Sequence, residues 1–226
     1  MFAPAAYISL LAGVALCTAN AVATETEQEP GGQQQTIDIV DLERRINALR
    51  KAGKYREAIP DALRLCEVFE RDLGAEHPDY AFALNTLAML YDDAGDFKRA
   101  EPLCQQSLEI RKETYGEEHP IYARSLSLRA MILADAGDYD RSESLHSQAL
   151  KILEKSQGKS HPNYAKGLAN FAAMHRAAGD YARAEALQRE SLEIIKKTLG
   201  EDHPRYQKAL EPLESLQQQT EDAATE

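Results

Sequence analysis

The feature that most constrains this 226-residue chain is a pattern that returns every 42 residues. A His-Pro pair, followed two residues later by tyrosine, begins at His77, His119, His161 and His203. Ala-Gly pairs recur with glycines at positions 53, 95, 137 and 179, and a further glycine recurs at positions 74, 116, 158 and 200. Because these elements keep one register over four copies, the chain is predicted to be a tandem repeat whose units bury apolar surface only by stacking.

Each copy divides into two helices at its glycines and prolines. Gly116 suits the left-handed conformation that closes a helix, and Pro120 suits the first turn of the next helix, where its missing N–H is harmless. His119 precedes proline, is pushed out of the α region, and is therefore predicted at the N-cap. In the second copy, helix A is predicted from about Pro78 to Ala94 and helix B from about Phe97 to Tyr115.

The apolar spacing predicts the fold class. Leu84, Leu87, Ala88 and Tyr91 follow the i, i+3, i+4, i+7 pattern of one helix face. Turns of two or three residues force the two helices of a copy to run antiparallel. We therefore predict an all-α fold, an α-solenoid of four antiparallel helix pairs followed by one capping helix. The predicted pairs cover about 37–73, 78–115, 120–157 and 162–199, and the cap covers 204–216.

The first 36 residues have a different character. Ala5 to Cys17 is an apolar run of 13 residues, which is short for a membrane span, and Ala19-x-Ala21 has the small residues that a signal peptidase accepts. We predict a cleaved export signal over 1–21, which makes the protein periplasmic or secreted. An uncleaved membrane anchor and a wrongly assigned start codon are the alternatives.

Polar composition marks both flanks of the repeats. Residues 24–35 contain no apolar side chain, so 22–36 is predicted to be a flexible linker, and 217–226 is predicted to be a disordered tail.

Charge and motif spacing exclude several function classes. A formal net charge of −11 argues against a nucleic-acid partner. The four His-Pro histidines lie one per copy, too far apart to share a metal ion, and His146 and His175 are predicted to pack inside the repeats. No set of residues converges as in a catalytic site. The sequence predicts no enzyme, no metal or other cofactor, and no small-molecule substrate.

Two cysteines remain if the signal is removed. Cys66 and Cys104 could form one disulfide in an oxidising compartment, or they could be small buried hydrophobic residues. Their positions within the repeat differ by about one helical turn, which favours two free thiols.

The repeat motif itself resembles a known family. Its residues in the second copy are Leu73-Gly74, His77-Pro78, Ala81, Leu84-Asn85, Leu87-Ala88, Leu90-Tyr91, Gly95, Phe97, Ala100 and Leu103. This pattern resembles the tetratricopeptide repeat, in the 42-residue variety of the kinesin light chain, over roughly residues 37–216. The resemblance implies a right-handed superhelix whose A helices line a concave groove that binds peptides. It therefore implies a scaffold for protein–protein interaction.

By the same resemblance, the groove lies on the side of each A helix opposite its leucine stripe. The predicted groove residues are Arg44, Asn47, Arg50, Lys51, Phe82, Asn85, Thr86, Met89, Asp92, Asp93, Arg124, Ser127, Leu128, Met131, Asp135, Lys166, Asn170 and Arg176. This groove is basic at both ends and acidic in the middle, with an apolar floor. It predicts a protein or peptide partner that has an apolar anchor between charges.

Two alternatives to this groove hypothesis stay open. The first is a set of ordinary solvated helix faces with no partner. The second is a membrane-anchored assembly subunit that keeps its N-terminal helix and whose stacked ends oligomerise.

Overall fold

The computed structural model describes residues 39–225, and Ile37–Glu226 forms one compact unit. The predicted signal peptide, membrane anchor and linker lie outside the described residues. Within 39–225 there are nine helices and no strand. The helices are α1 (Ile39–Lys51), α2 (Tyr55–Leu73), α3 (Pro78–Asp93), α4 (Phe97–Tyr115), α5 (Pro120–Asp135), α6 (Tyr139–Gln157), α7 (Pro162–Ala177), α8 (Tyr181–Leu199) and α9 (Pro204–Thr225).

Each helix packs on the next, so helix pairs follow one another along the stack. The A helices α3, α5 and α7 also contact their A-helix neighbours directly. Alanines such as Ala58, Ala88, Ala100 and Ala130 are fully buried, which lets the helix backbones approach closely. The predicted all-α solenoid of stacked helix pairs is confirmed.

The caps predicted from the His-Pro pairs are present. His119 has extended backbone angles, and its Nδ1 accepts a hydrogen bond from the backbone N–H of Ile121 at 3.1 Å. His77, His161 and His203 accept the equivalent bond from the N–H two residues on. Gly116 closes the preceding helix with φ +84, where a β-carbon would be strained.

The capping helix differs from the sequence prediction. Helix α9 runs to Thr225 with Pro212 inside it, so the predicted end at residue 216 and the disordered tail are wrong as far as 225. Leu213 and Leu216 are buried and anchor the helix. Beyond such an anchor, each added residue contributes a hydrogen bond, and the Gln, Glu and Ala residues that follow are good helix formers.

Cys66 and Cys104 are both buried free thiols, so no disulfide joins them. Burial raises the pKa of each thiol to about 12, which leaves them protonated and unreactive. Among the described helices, none combines the length and apolar character that a bilayer crossing needs.

Candidate functional site

The A helices α1, α3, α5 and α7 share one solvent-exposed side, which we call the A-helix face. Repeat-equivalent residues line it in three rows. The N-terminal row holds Val40, Phe82, Arg124 and Lys166, the middle row Asn47, Met89, Met131 and Ala173, and the C-terminal row Arg50, Lys51, Asp92, Asp93, Asp135 and Arg176. All of these residues are exposed or partly buried, so this side of the stack is accessible.

The centre of the A-helix face is apolar. Phe82 is 49% exposed and Met131 is 37% exposed, on helices α3 and α5, which contact each other. Met89 and Leu128 lie partly buried on the same two helices, and Leu128 packs against the core. Single exposed apolar residues are ordinary, but four on two touching helices form a patch that a partner can cover.

An acidic cluster lies at the C-terminal row beside this patch. Burial, together with the charges on Asp135 and Asp93, raises the pKa of Asp92 to about 7. Burial also raises the pKa of Asp93 and of Asp135, while the nearby Arg50, whose Nε lies 3.7 Å from Asp93 Oδ2, lowers that of Asp93. Near neutral pH, Asp92 is therefore partly protonated and shares a hydrogen bond with Asp135, and a cationic group of a partner would favour the ionised form of the cluster.

Two predicted groove residues are buried and do not face a ligand. Asn85 is 7% exposed and Ser127, its equivalent in the next copy, is 6% exposed. The Asn85 Nδ2 donates to Ser125 Oγ of the neighbouring A helix at 3.4 Å. The prediction was wrong for these two because it treated each A helix alone, whereas this position lies where successive A helices touch.

The other predicted residues reach the surface. Arg44, Asn47, Arg50, Lys51, Phe82, Asp93, Arg124, Met131, Asp135, Lys166 and Arg176 are exposed, and Thr86, Met89, Asp92, Leu128 and Asn170 are partly buried. Arg44 pairs with Asp41 at 2.7 Å, and the Thr86 hydroxyl donates to the Phe82 carbonyl, so these two groups already have local partners.

One polar contact between neighbouring copies was missed. The Arg111 Nη1, from helix B α4, donates to Ser125 Oγ on α5 at 2.7 Å. Sequence reasoning considered only A helices as groove walls. The sequence alone could have singled out Arg111, because the equivalent residues of the other copies are all apolar: Phe69, Leu153 and Ile195.

The described residues were also compared with the requirements of a metal centre and of an enclosed pocket. No group of three or more His, Cys, Asp or Glu within 39–225 could hold a metal ion. Two surface depressions of about 420 and 350 Å³ lie at the α5–α6 and α1–α2 turns, and neither is lined by a predicted groove residue.

The sequence profile of the tetratricopeptide repeat family matches residues 41–112, 93–155 and 123–197, which together cover more than half of the chain. No curated protein sequence matches this chain.

Similar solved structures share the fold. A protein of Podosopora anserina described as a kinesin light chain with nearly identical TPR-like repeats is 22% identical, with a TM-score of 0.65 over 81% of this chain and 87% of that one. BtubC (BKLC) from P. vanneervenii is 18% identical, with a TM-score of 0.57 over 81% and 83% of the two chains. The apo form of RapI is 17% identical, with a TM-score of 0.61 over 82% and 65%. At these identities the likeness concerns the fold alone.

Proposed function

Because the chain belongs to the tetratricopeptide repeat family, whose fold generally serves as a scaffold for protein–protein interaction, we propose that it is a non-enzymatic scaffold that binds a peptide or protein partner along the A-helix face. Within residues 39–225 the stacked helix pairs form a continuous surface, and the two depressions described above lie at turns between helices, which suits an extended partner on the A-helix face better than a small molecule. The net charge of −11 supports a protein partner over a nucleic acid.

The apolar patch carries this proposal. Phe82 and Met131 are large side chains left in water at the centre of the face. Covering them would release apolar surface from water, and the unbranched methionine side chain adapts to the shape of whatever binds. Cationic and acidic side chains border the patch, so the proposed partner has an apolar anchor with charged residues on either side.

The proposal predicts that polar substitutions in the patch abolish partner capture. With the full chain immobilised, the double variant Phe82→Ser/Met131→Ser should retain about tenfold less partner than wild type. The reason is that the apolar anchor of the partner loses the surface that it contacts. Proteins retained from an extract of the source cells would be quantified by mass spectrometry.

Leu63→Ser is the matched control. Leu63 is 41% exposed but lies on helix B α2, away from the A-helix face. A protein retained by wild type and by Leu63→Ser, yet lost from the double variant, supports the proposal. If the patch variant and the control retain the same proteins, or no protein depends on the patch, the A-helix face is not the binding surface.

We further propose that the scaffold acts outside the cytoplasm after export. The support is the apolar run Ala5 to Cys17 followed by the small-residue site Ala19-x-Ala21. N-terminal sequencing of the protein from its source should then give a start near Val22 or Thr24. A start at Met1 in a membrane fraction would favour the membrane-anchored assembly subunit instead.

A further inference from the structure

The methionines of the A-helix face are more exposed than the methionine of the core. Met131 of α5 is 37% exposed in the apolar patch, and Met89 is partly buried at the equivalent position of α3, which contacts α5. Met174 of α7 is 3% exposed and packs in a core cluster with Phe171. Of the three methionines within the described residues, Met131 therefore has the side chain that is most open to a reagent in water.

The repeat does not require methionine at the position of Met131. The equivalent residues of the first and fourth copies are Asn47 and Ala173, and both are exposed. Because a polar side chain and a small one occupy the same place in the stack, a change of polarity at Met131 should alter the surface and leave the packing of the helices intact. The methionine thus contributes to the apolar patch and not to the core.

An exposed thioether reacts with hydroperoxides. A sulfur lone pair attacks one oxygen of hydrogen peroxide, so that an S–O bond forms and the O–O bond breaks, and the hydroxide that leaves takes up the remaining proton to become water. The sulfur loses two electrons and the peroxide gains them. The product, methionine sulfoxide, is polar and accepts hydrogen bonds, whereas the thioether is apolar. The thiols of Cys66 and Cys104 are both buried and so do not compete for the oxidant.

We propose that Met131 is an oxidation site at which a hydroperoxide turns the apolar patch into a polar surface and so releases the partner; this rests on the proposed function, because the partner is proposed to cover this patch. A partner that covers the thioether removes apolar surface from water, whereas covering the sulfoxide costs the hydration of its oxygen. The change is reversible, because a methionine sulfoxide reductase removes the oxygen as water while two thiols are oxidised to a disulfide. The patch is then apolar again.

The oxidation site can be tested without a partner. The full chain is treated with hydrogen peroxide for increasing times, quenched and digested with trypsin, and mass spectrometry measures the gain of one oxygen at each methionine. The three methionines lie on separate tryptic peptides, 72–98, 130–141 and 167–176. Met131 should be oxidised at least about tenfold faster than Met174, because peroxide reaches Met174 only when the core opens locally. Equal rates at the two methionines would overturn the site.

The polarity of the surface is measured by hydrophobic interaction chromatography of the folded protein. At the exposure time that oxidises Met131 but not Met174, wild type should elute earlier than the untreated protein. Met131→Leu should elute at the same position before and after peroxide, because leucine has a similar volume and no sulfur. Met89→Leu is the matched control and should shift as wild type does. A shift that persists in Met131→Leu, or a loss of the circular dichroism signal of the helices on oxidation, contradicts a change confined to the patch.

Partner release distinguishes this inference from the proposed function. The probe is the extract of the source cells, restricted to the proteins that wild type retains and Phe82→Ser/Met131→Ser does not. Oxidation should lower their retention by wild type about tenfold, because the sulfoxide is covered without a new hydrogen bond. Met131→Leu should keep them after peroxide, and treatment of oxidised wild type with the two epimer-specific methionine sulfoxide reductases and dithiothreitol should restore them.

The two proposals fail in different ways. If Met131 is oxidised selectively and the same proteins stay bound, partner release is refuted and the scaffold surface stands. If no protein depends on the patch, the proposed function is refuted together with partner release, and the mass spectra and chromatograms alone then decide whether Met131 is an oxidation site that changes the polarity of the face.

Discussion

Replacing Leu126 with alanine should lower the free energy of unfolding by about 3 kcal/mol, because it opens a cavity in the centre of the stack. Leu126 lies on α5, is 1% exposed, and belongs to a core cluster that includes Leu108 of α4, Leu153 of α6 and Leu168 of α7. The residue thus joins the third pair to the copies on both sides of it. Urea unfolding followed by circular dichroism at 222 nm measures the effect.

The same substitution at the end of the stack is the control. Leu210 occupies the equivalent position on α9 and is only partly buried, because no further pair follows it within the described residues. Leu210→Ala should cost about 1 kcal/mol, in proportion to the smaller apolar area removed. Each repeat of a solenoid contacts only its neighbours, so a residue at the end of the stack has fewer contacts to lose. Equal losses of stability for the two variants would mean that Leu210 is buried as fully as Leu126 in the folded protein.

The fold could be predicted because its determinants are local and repeated. Gly116 requires a left-handed backbone, Pro120 permits only a helix start, and His119 caps that start through its own ring nitrogen. Each of these conformational preferences depends on a few adjacent residues, and each recurs at the same position in four copies of the 42-residue repeat. In the second copy both helix boundaries agree with the prediction to within one residue, whereas the end of the capping helix, which no repeat register checks, was missed.

Which residues of the candidate site are exposed depends on contacts between copies, and helix periodicity and capping rules do not describe those contacts. Asn85 is predicted at the surface by its own helix, yet it is buried by the next A helix through its bond to Ser125. Arg111 of a B helix bonds Ser125 of the next A helix, which periodicity within one helix does not show. Comparing equivalent positions across copies, rather than residues within one helix, would have singled out Arg111.

A second buried polar residue, His146, makes the stack sensitive to acid. His146 lies on α6, is 1% exposed, and stacks on Phe171 of α7 with ring centroids 5.2 Å apart. Neither of its ring nitrogens has a hydrogen-bond partner among the described residues. Burial, together with the nearby His175, which also contacts Phe171, lowers the pKa of this imidazole from 6.5 to about 4.

The sign of the pH dependence follows from the lowered pKa. Between pH 6.5 and about 4 the unfolded chain holds a proton on this histidine that the folded chain does not. Stability is therefore complete above pH 6.5 and is lost as the pH falls toward 4, by about 3 kcal/mol from this group. Asp92 acts in the opposite direction, because its raised pKa favours the folded state as the pH falls below about 7.

His146→Leu should therefore remove a pH-dependent loss of about 3 kcal/mol and also raise stability at pH 7 by about 1 kcal/mol, since no unpaired ring nitrogen stays buried. Unfolding free energies from urea titrations at pH 7 and pH 4 give both values for each protein. The difference between wild type and variant isolates His146, because the Asp92 and His175 contributions are present in both.

His146→Gln separates these two effects. Glutamine occupies the equivalent position at Gln188, where its Nε2 donates to the Ala209 carbonyl at 3.0 Å, so the side chain fits this site of the repeat. It carries no titratable proton, and the variant should lose the pH dependence of wild type without the full gain of leucine at pH 7. Both variants could instead lose as much stability as wild type between pH 7 and pH 4. His146 would then be in contact with water in the folded protein, and the side chains of α6 and α7 would not pack around it as the contact with Phe171 indicates.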